Sequence, residues 1–256
     1  MNITVYLGAN EGNNPSLKRA VKELGTWIGK SGNALIYGGS KSGLMGALAD
    51  SVLNAGGNVT GVEPQFFIEN EFQHEGITKL IATKDMSERK NKMIELGNAF
   101  IAFPGGTGTL EEITEIMSKV SLKQLNAPCI VYNLNGYYDS LKAMLKHMID
   151  MGLSSEERQK GIYFAESLEQ ITQWQCSLIQ KNHIAKHRPQ HGAFLIQSHL
   201  GGTSGNPGKP WNNSKAYNKC HHATCNRCSH AKSQHAKKDF SHPELFSFLL
   251  SISRIV

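Results

Sequence analysis

Apolar residues recur along the first 180 positions in two alternating periods. Short runs rich in aliphatic, β-branched and aromatic side chains read as strands: Ile3–Leu7, Ala34–Tyr37, Asn58–Val62, Ile77–Ala82, Ala99–Phe103, Cys129–Tyr132 and Ile162–Phe164. Between them the apolar positions fall at helical spacing. Leu17, Ala20, Val21, Leu24 and Ile28 mark one amphipathic face, Leu44, Ala47, Leu48 and Val52 a second, and Ile113, Ile116, Met117 and Val120 a third. Leu141, Met144, Leu145 and Met148 mark another, and a last helix opens at Ser167. Asp85-x-x-Glu88 has the form of a capping box and opens a helix that runs to about Gly97. Strands alternating with helices predict an α/β fold: a mostly parallel sheet, doubly wound, with helices on both faces.

Glycines interrupt this pattern where strands end. Gly8, Gly38-Gly39 and Gly105-Gly106 each follow a strand, so all three converge on the carboxyl edge of the sheet, where ligands of such sheets bind. The run Pro104-Gly-Gly-Thr-Gly-Thr-Leu-Glu-Glu112 is the most informative. A glycine-rich turn leading into a helix points backbone N–H groups outward at the positive end of the helix dipole, a geometry that holds phosphate. The spacing places Glu112 in the first turn, beside the anion. Carboxylates are poor phosphate ligands, so an acid there points to chemistry on whatever the phosphate carries. Thr109-x-x-Glu112 also fits a capping box, in which both side chains merely satisfy orphan N–H groups.

Charge divides the chain in two. Residues 1–182 carry 17 Lys and Arg against 19 Asp and Glu, whereas 183–256 carry 10 against 2, with nine of the eleven His and three of the five Cys. The formal charge of +6 therefore belongs to the tail, and nothing basic in 1–182 asks for nucleic acid. The expected organisation is one domain over 1–182 and a basic tail over 183–256 whose composition predicts disorder. In the tail, Cys220, Cys225, Cys228 and His230 could supply four zinc ligands, although the spacing lacks paired knuckles, and weak contact with nucleic acid through its basic residues is a further reading. No charged-then-apolar leader opens the sequence and no apolar run reaches membrane-spanning length, so the expected location is cytoplasmic, with no membrane partner. Cys129 and Cys176 fit reduced thiols.

Four segments in order carry a resemblance: Tyr37-Gly-Gly-Ser-Lys-Ser-Gly-Leu-Met-Gly46, Asp85-Met-Ser-Glu-Arg-Lys90, Pro104 to Glu112, and Asn135-Gly-Tyr-Tyr-Asp139. Over about residues 1–180 the chain resembles the Lonely Guy (LOG) phosphoribohydrolases, which release cytokinin bases from riboside 5′-monophosphates. The resemblance implies a Rossmann-like fold, a homodimer, and hydrolysis of the N-glycosidic bond of a purine nucleoside 5′-monophosphate without metal or organic cofactor. It implies Arg89 and Glu112 as the catalytic pair. Lys90, Gly39 and the loop residues Gly105, Gly106, Thr107, Gly108, Thr109, Leu110 and Glu111 take substrate-binding positions, joined by Glu71 and by Ser118, where relatives often carry Thr. Relatives are often labelled lysine decarboxylases, but this sequence has no Ser-x-His-Lys motif. Ser40 and Gly8-Ala9-Asn10 depart from the family pattern, which leaves the base specificity open.

Chemistry fits those roles. Breaking a ribosyl–base bond builds positive charge on the sugar, which a carboxylate such as Glu112 can stabilise while taking a proton from water. Arg89 stays protonated and forks bidentately, so it can orient that carboxylate and the phosphate. Lys41 and His74 read as solvated side chains, His74 beside Glu75. A reading from another class is a non-catalytic carrier of a nucleotide or nucleotide cofactor, which needs the glycine loop but not both charged groups.

Overall fold

The computed structural model describes residues 1–70 and 72–175. Seven strands form one sheet: β1 (Asn2–Tyr6), β2 (Ala34–Tyr37), β3 (Asn58–Pro64), β4 (Lys79–Thr83), β5 (Ala99–Ala102), β6 (Cys129–Tyr132) and β7 (Ile162–Ala165). Every pairing is parallel, and the order across the sheet is β4-β3-β2-β1-β5-β6-β7. The Rossmann-like, doubly wound α/β fold is thus the observed one. β4 begins two residues later than the apolar run starting at Ile77, because that run is a strand only where it pairs with β3, from Thr60↔Lys79 to Pro64↔Thr83.

The main connecting helices are α1 (Pro15–Lys30), α2 (Gly43–Asn54), α4 (Met86–Leu96), α5 (Thr107–Ser121) and α6 (Asp139–Asp150). Two single turns, α3 (Gln65–Ile68) and α7 (Glu156–Gln159), are too short for periodicity to reveal. Residues 168–175 are again helical. On one face, Val21, Leu24 and Ile28 of α1 and Leu48 and Val52 of α2 pack on Val5, Leu35 and Val59. On the other, Met93 of α4 and Ile113, Ile116 and Met117 of α5 pack on Tyr6, Phe100 and Val131. Strands covered on both faces need apolar residues at successive positions, which is why Ala99–Ala102 is buried throughout.

The chain builds outward from β1 through β2 and β3 to β4, then returns to the other side of β1 to lay down β5. Where the winding reverses, the loops after β1 and β5 diverge to opposite faces and leave a crevice at their carboxyl ends. Those loops nearly touch: a Cβ at Gly8 would stand 3.5 Å from Gly105 Cα. The candidate site lies at this crevice.

Candidate active site

Helix α5 begins at Thr107 with Gly106 as its cap, and no side chain satisfies its first N–H groups. Gly106, Thr107, Gly108 and Thr109 line a cavity of about 460 Å³. A Cβ at Gly106 or Gly108 would meet nothing within 4 Å, so backbone is presented bare to the cavity. Orphan donors at the positive end of a fifteen-residue helix make an anion site. The loop behind it is held by two adjacent tyrosines. Tyr137 donates its hydroxyl to Gly105 O at 2.5 Å, and Tyr138 donates to Phe103 O at 2.9 Å. Asn133 orients that pair, accepting from Tyr138 N at 2.6 Å and donating to Asp139 at 2.7 Å.

Arg89 comes from α4, whose start is fixed by Asp85. The Asp85 carboxylate accepts from Glu88 N at 2.8 Å, and Glu88 reaches back to accept from Lys84 N at 2.8 Å. Arg89 is only 7% exposed. Its Nε donates to Val62 O at 3.0 Å and its Nη1 to Glu112 Oε1 at 2.7 Å. Glu112 is 8% exposed, so this is a buried, charge-assisted pair. Burial pushes the Glu112 carboxyl above its usual range, while the guanidinium opposes the rise.

The helix start corrects the sequence expectation at Glu112. With Thr107 as the first helical residue, Glu112 stands in the second turn, and its carboxylate meets Arg89 rather than the helix end. The capping-box alternative fails because Gly106 already ends the non-helical approach, leaving Thr109 inside the helix. His74 also differs: it meets Asp50 at 2.9 Å through Nε2, because the loop after α3 folds back over α2.

Of the residues the sequence assigns to binding, the cavity gathers Arg89, Lys90, Glu111, Glu112 and Gly106 to Thr109. Lys90 is tied to Glu111 at 2.6 Å and Glu115 at 3.6 Å, which hold its ammonium above the usual lysine range. Gly105, Leu110, Ser118 and Gly39 do not line the cavity. Gly105 is buttressed against Gly8 and Thr109, where a side chain would overlap both. Leu110 faces outward at 43% exposure, one helical position away from the cavity side. Ser118 is an exposed residue nearly two turns beyond Glu112. Gly39 backs the cavity indirectly, at φ +93°, against Glu63. Glu71 and the cysteine-bearing tail fall outside the described residues.

The cavity also holds Met45, which the sequence reads as a core or interface side chain, and groups to which it assigns no role. Met45, Phe67, Phe72 and Met86 form an apolar wall on the β2–β3 side, with Phe67 and Phe72 meeting edge to face at 6.0 Å between centroids. Glu63, at the end of β3, lines the same side at 2% exposure, and burial raises its pKa to about 7 despite the nearby Arg89. The available signal was a charged residue ending an apolar, doubly covered strand. A larger groove of about 740 Å³ runs along α1 past Trp27 to Leu168, and none of the residues that line the crevice lines it.

A parallel doubly wound sheet with an uncapped helix start and a buried arginine–carboxylate pair at its switch point defines a Rossmann-like α/β protein whose candidate ligand site is that crevice. Residues 45–174 match the model of a family described as "Possible lysine decarboxylase". The chain is 38% identical over 168 residues to a cytokinin riboside 5′-monophosphate phosphoribohydrolase of Rhodococcoides fascians, covering 65% of this chain and 85% of that protein. It is 36% identical over 169 residues to the enzyme of that name, LOG1, from Arabidopsis thaliana, covering 66% and 79%. The chain belongs to this LOG family. Solved structures share the fold at lower identity. A molybdenum cofactor binding protein from Rippkaea orientalis aligns with TM-score 0.54 at 23% identity over 70% of this chain and 96% of that one. The molybdenum cofactor carrier protein of Chlamydomonas reinhardtii gives 0.54 at 20% over 70% and 98%.

Proposed function

We propose that this protein hydrolyses the N-glycosidic bond of purine riboside 5′-monophosphates, of the AMP or cytokinin type, to free base and ribose 5-phosphate. The observation that carries the reading is the Arg89–Glu112 pair, 2.7 Å apart and buried beside an uncapped helix start. Phosphate on the N–H groups of Gly106 to Thr109 sets the ribose against Glu112. That carboxylate stabilises the developing sugar cation and takes a proton from the attacking water. Arg89 is fixed by Val62 O, so it orients Glu112 without reorganising as charge develops. Lys90 and Glu111 form the charged rim, and Met45, Phe67, Phe72 and Met86 offer the base an apolar wall. The named relatives act on cytokinin riboside 5′-monophosphates, which supports the substrate class.

A decarboxylase that holds its cofactor as a Schiff base needs a lysine with a lowered pKa. Lys90 is the one lysine lining the cavity among the described residues, and its two carboxylate partners shift it the other way. The reading includes a homodimer, supported by the outward-facing Leu122, Met151 and Leu153, and a cytoplasmic location, consistent with the free, buried thiol of Cys129. No helix among the described residues is long and apolar enough to cross a membrane.

Incubation with AMP, isopentenyl-AMP and the matching nucleosides, with chromatographic detection of base and ribose 5-phosphate, tests the reading. Base release from a monophosphate without added metal, and at least ~100-fold slower release from the nucleoside, is expected because the phosphate contributes binding energy remote from the scissile bond. Binding of nucleotide with no base release would favour a carrier.

A further inference from the structure

Glu63 is the cavity's unexplained group. It is 2% exposed, and its Oε2 has no hydrogen-bond partner among the described residues. A buried, unpartnered carboxyl is costly to keep unless it does something there. Its niche accommodates it closely. Gly39 packs against it at φ +93°, and a Cβ at that position would stand 2.9 Å from Glu63 Oε2. The facing charged or titratable groups are Arg89 from α4 and Tyr37 from β2. The Tyr37 hydroxyl also lacks a partner and is held well above the usual phenol range, so it supplies no proton near neutrality. Asp50 of α2, which acts on Tyr37, is itself bonded to His74.

Position assigns Glu63 to one end of the ligand. The helix start that receives phosphate follows β5, whereas Glu63 is the penultimate residue of β3, and β2 and β1 lie between them. Three inter-strand steps separate the two strand axes, so Glu63 and the helix start enter the same cavity from different sides. The apolar wall of Met45, Phe67 and Phe72 shares the Glu63 side, so the base lies there. The other ionisable groups lining the cavity are engaged elsewhere. Arg89 does not deprotonate, Lys90 is held by two carboxylates, Glu111 is bound to Lys90, and Glu112 faces Arg89 at the sugar.

Resting on the hydrolase reading above, we propose that Glu63 is the general acid that protonates the departing base. As the bond from C1′ to the base nitrogen breaks, its electron pair goes to the base and the Glu63 proton passes to a ring nitrogen. Water oxygen bonds to C1′ and gives its proton to Glu112. Proton exchange with solvent then restores both carboxyls, so the balance is nucleotide plus water to base plus ribose 5-phosphate. The carboxyl suits this work because burial keeps its proton on up to about pH 7.

The test compares the full-length wild type with Glu63→Gln on AMP and on nicotinamide mononucleotide, whose base departs neutral and needs no proton. On AMP, turnover in Glu63→Gln should fall ~100-fold with little change in KM, whereas on nicotinamide mononucleotide the loss should stay below ~10-fold. Wild-type kcat on AMP should decline as pH rises through about 7, and the residual activity of Glu63→Gln should lack that decline. Equal losses on both substrates, or undiminished turnover of AMP, would overturn the proposal and leave the hydrolase reading standing. Wild type that cleaves neither nucleotide would overturn both. If wild type spares nicotinamide mononucleotide alone, the alkaline decline decides: present only in wild type it supports the proposal, present in both or neither it overturns it. Glu63→Asp guards against misfolding of the glutamine variant, since it keeps a carboxyl and should retain the decline at a displaced pH.

Discussion

Glu112 and Glu63 are both buried acids on one cavity, and their partners set them apart. Glu112 has Arg89 at 2.7 Å; Glu63 has an unpartnered oxygen. Removing charge from the first leaves Arg89 buried without its counterion, which costs about 1–3 kcal/mol even though a glutamine oxygen can still accept the hydrogen bond. Glu112→Gln is therefore expected to lower the melting temperature moderately, to lower kcat by ~100-fold or more, and to keep nucleotide affinity within a few-fold. Calorimetry, kinetics and nucleotide titration on one preparation check all three. Near-normal turnover would make Glu112 a structural partner of Arg89 and nothing more.

Among the described residues, Glu63 has no such bonded counterion. Its pKa rises on folding from 4.5 to about 7, so the native state binds the proton more tightly than the unfolded chain. The stabilisation is fully present below pH 4.5 and is lost as pH rises through 7. Glu63→Gln has no charge to bury. It is expected to match wild type near pH 4 and to exceed it at pH 8 by about 3 kcal/mol, read from urea midpoints at the two pH values. A constant difference between the variants across that range would show that Glu63 has an ordinary carboxyl.

At the scale of elements, the start of α5 separates two kinds of glycine. Gly105 is closed in by Thr109 and Gly8, whereas Gly108 looks into open cavity. Gly105→Ala is therefore expected to destabilise by about 2 kcal/mol or more through overpacking of the loop. Gly108→Ala sits in the first helical turn and should leave stability within ~1 kcal/mol, since alanine favours the helix. Its methyl group stands where the anion approaches, so KM for the monophosphate should rise ~10-fold or more while the nucleoside rate hardly changes. Thermal melts and paired kinetics separate the two effects. The same element shows what periodicity resolves: Ile113, Ile116 and Met117 mark the buried face of α5 wherever the helix begins, but only the cap at Gly106 places Glu112 in the second turn.

For the whole molecule, the residues that build the cavity end at Glu112, and those that brace it end at Asp139. The last described helical residues, 168–175, reach the core through Ile171, and Gln175 donates to Asn33 at 3.1 Å. Truncation after Gln180 keeps all of these contacts and removes the basic, cysteine-bearing stretch. It is expected to leave solubility, oligomeric state and kcat/KM for AMP within about two-fold of the full chain. Sedimentation and kinetics on the two lengths check this, and loss of either property would make the tail part of the functional unit. Zinc bound stoichiometrically by the full chain but not by the truncated form would place a metal site in the tail, with Cys220, Cys225, Cys228 and His230 as the candidate ligands.

The strand and helix order, the convergence of glycine turns on the carboxyl edge of the sheet and the presence of a helix after the Pro104 loop were legible in the chain, because burial on both faces of a parallel sheet and glycine turns leave local marks. So were Arg89, Lys90 and Glu112, through motifs that travel together. Pairing was not legible. That Arg89 bonds Glu112, that Lys90 is held by two carboxylates, and that Leu110 and Ser118 turn outward depend on how α4 and α5 lie against one another across the sheet. Glu63 shows the difference most sharply. Its sequence neighbours announce only a strand end, and its raised pKa comes from burial that β2, the Gly39 turn and the folded sheet impose together. Local sequence determined the elements and the residue types at the site; three-dimensional packing decided which buried acid meets a guanidinium and which is left with an unpartnered oxygen, since desolvation and Coulomb interaction act through space.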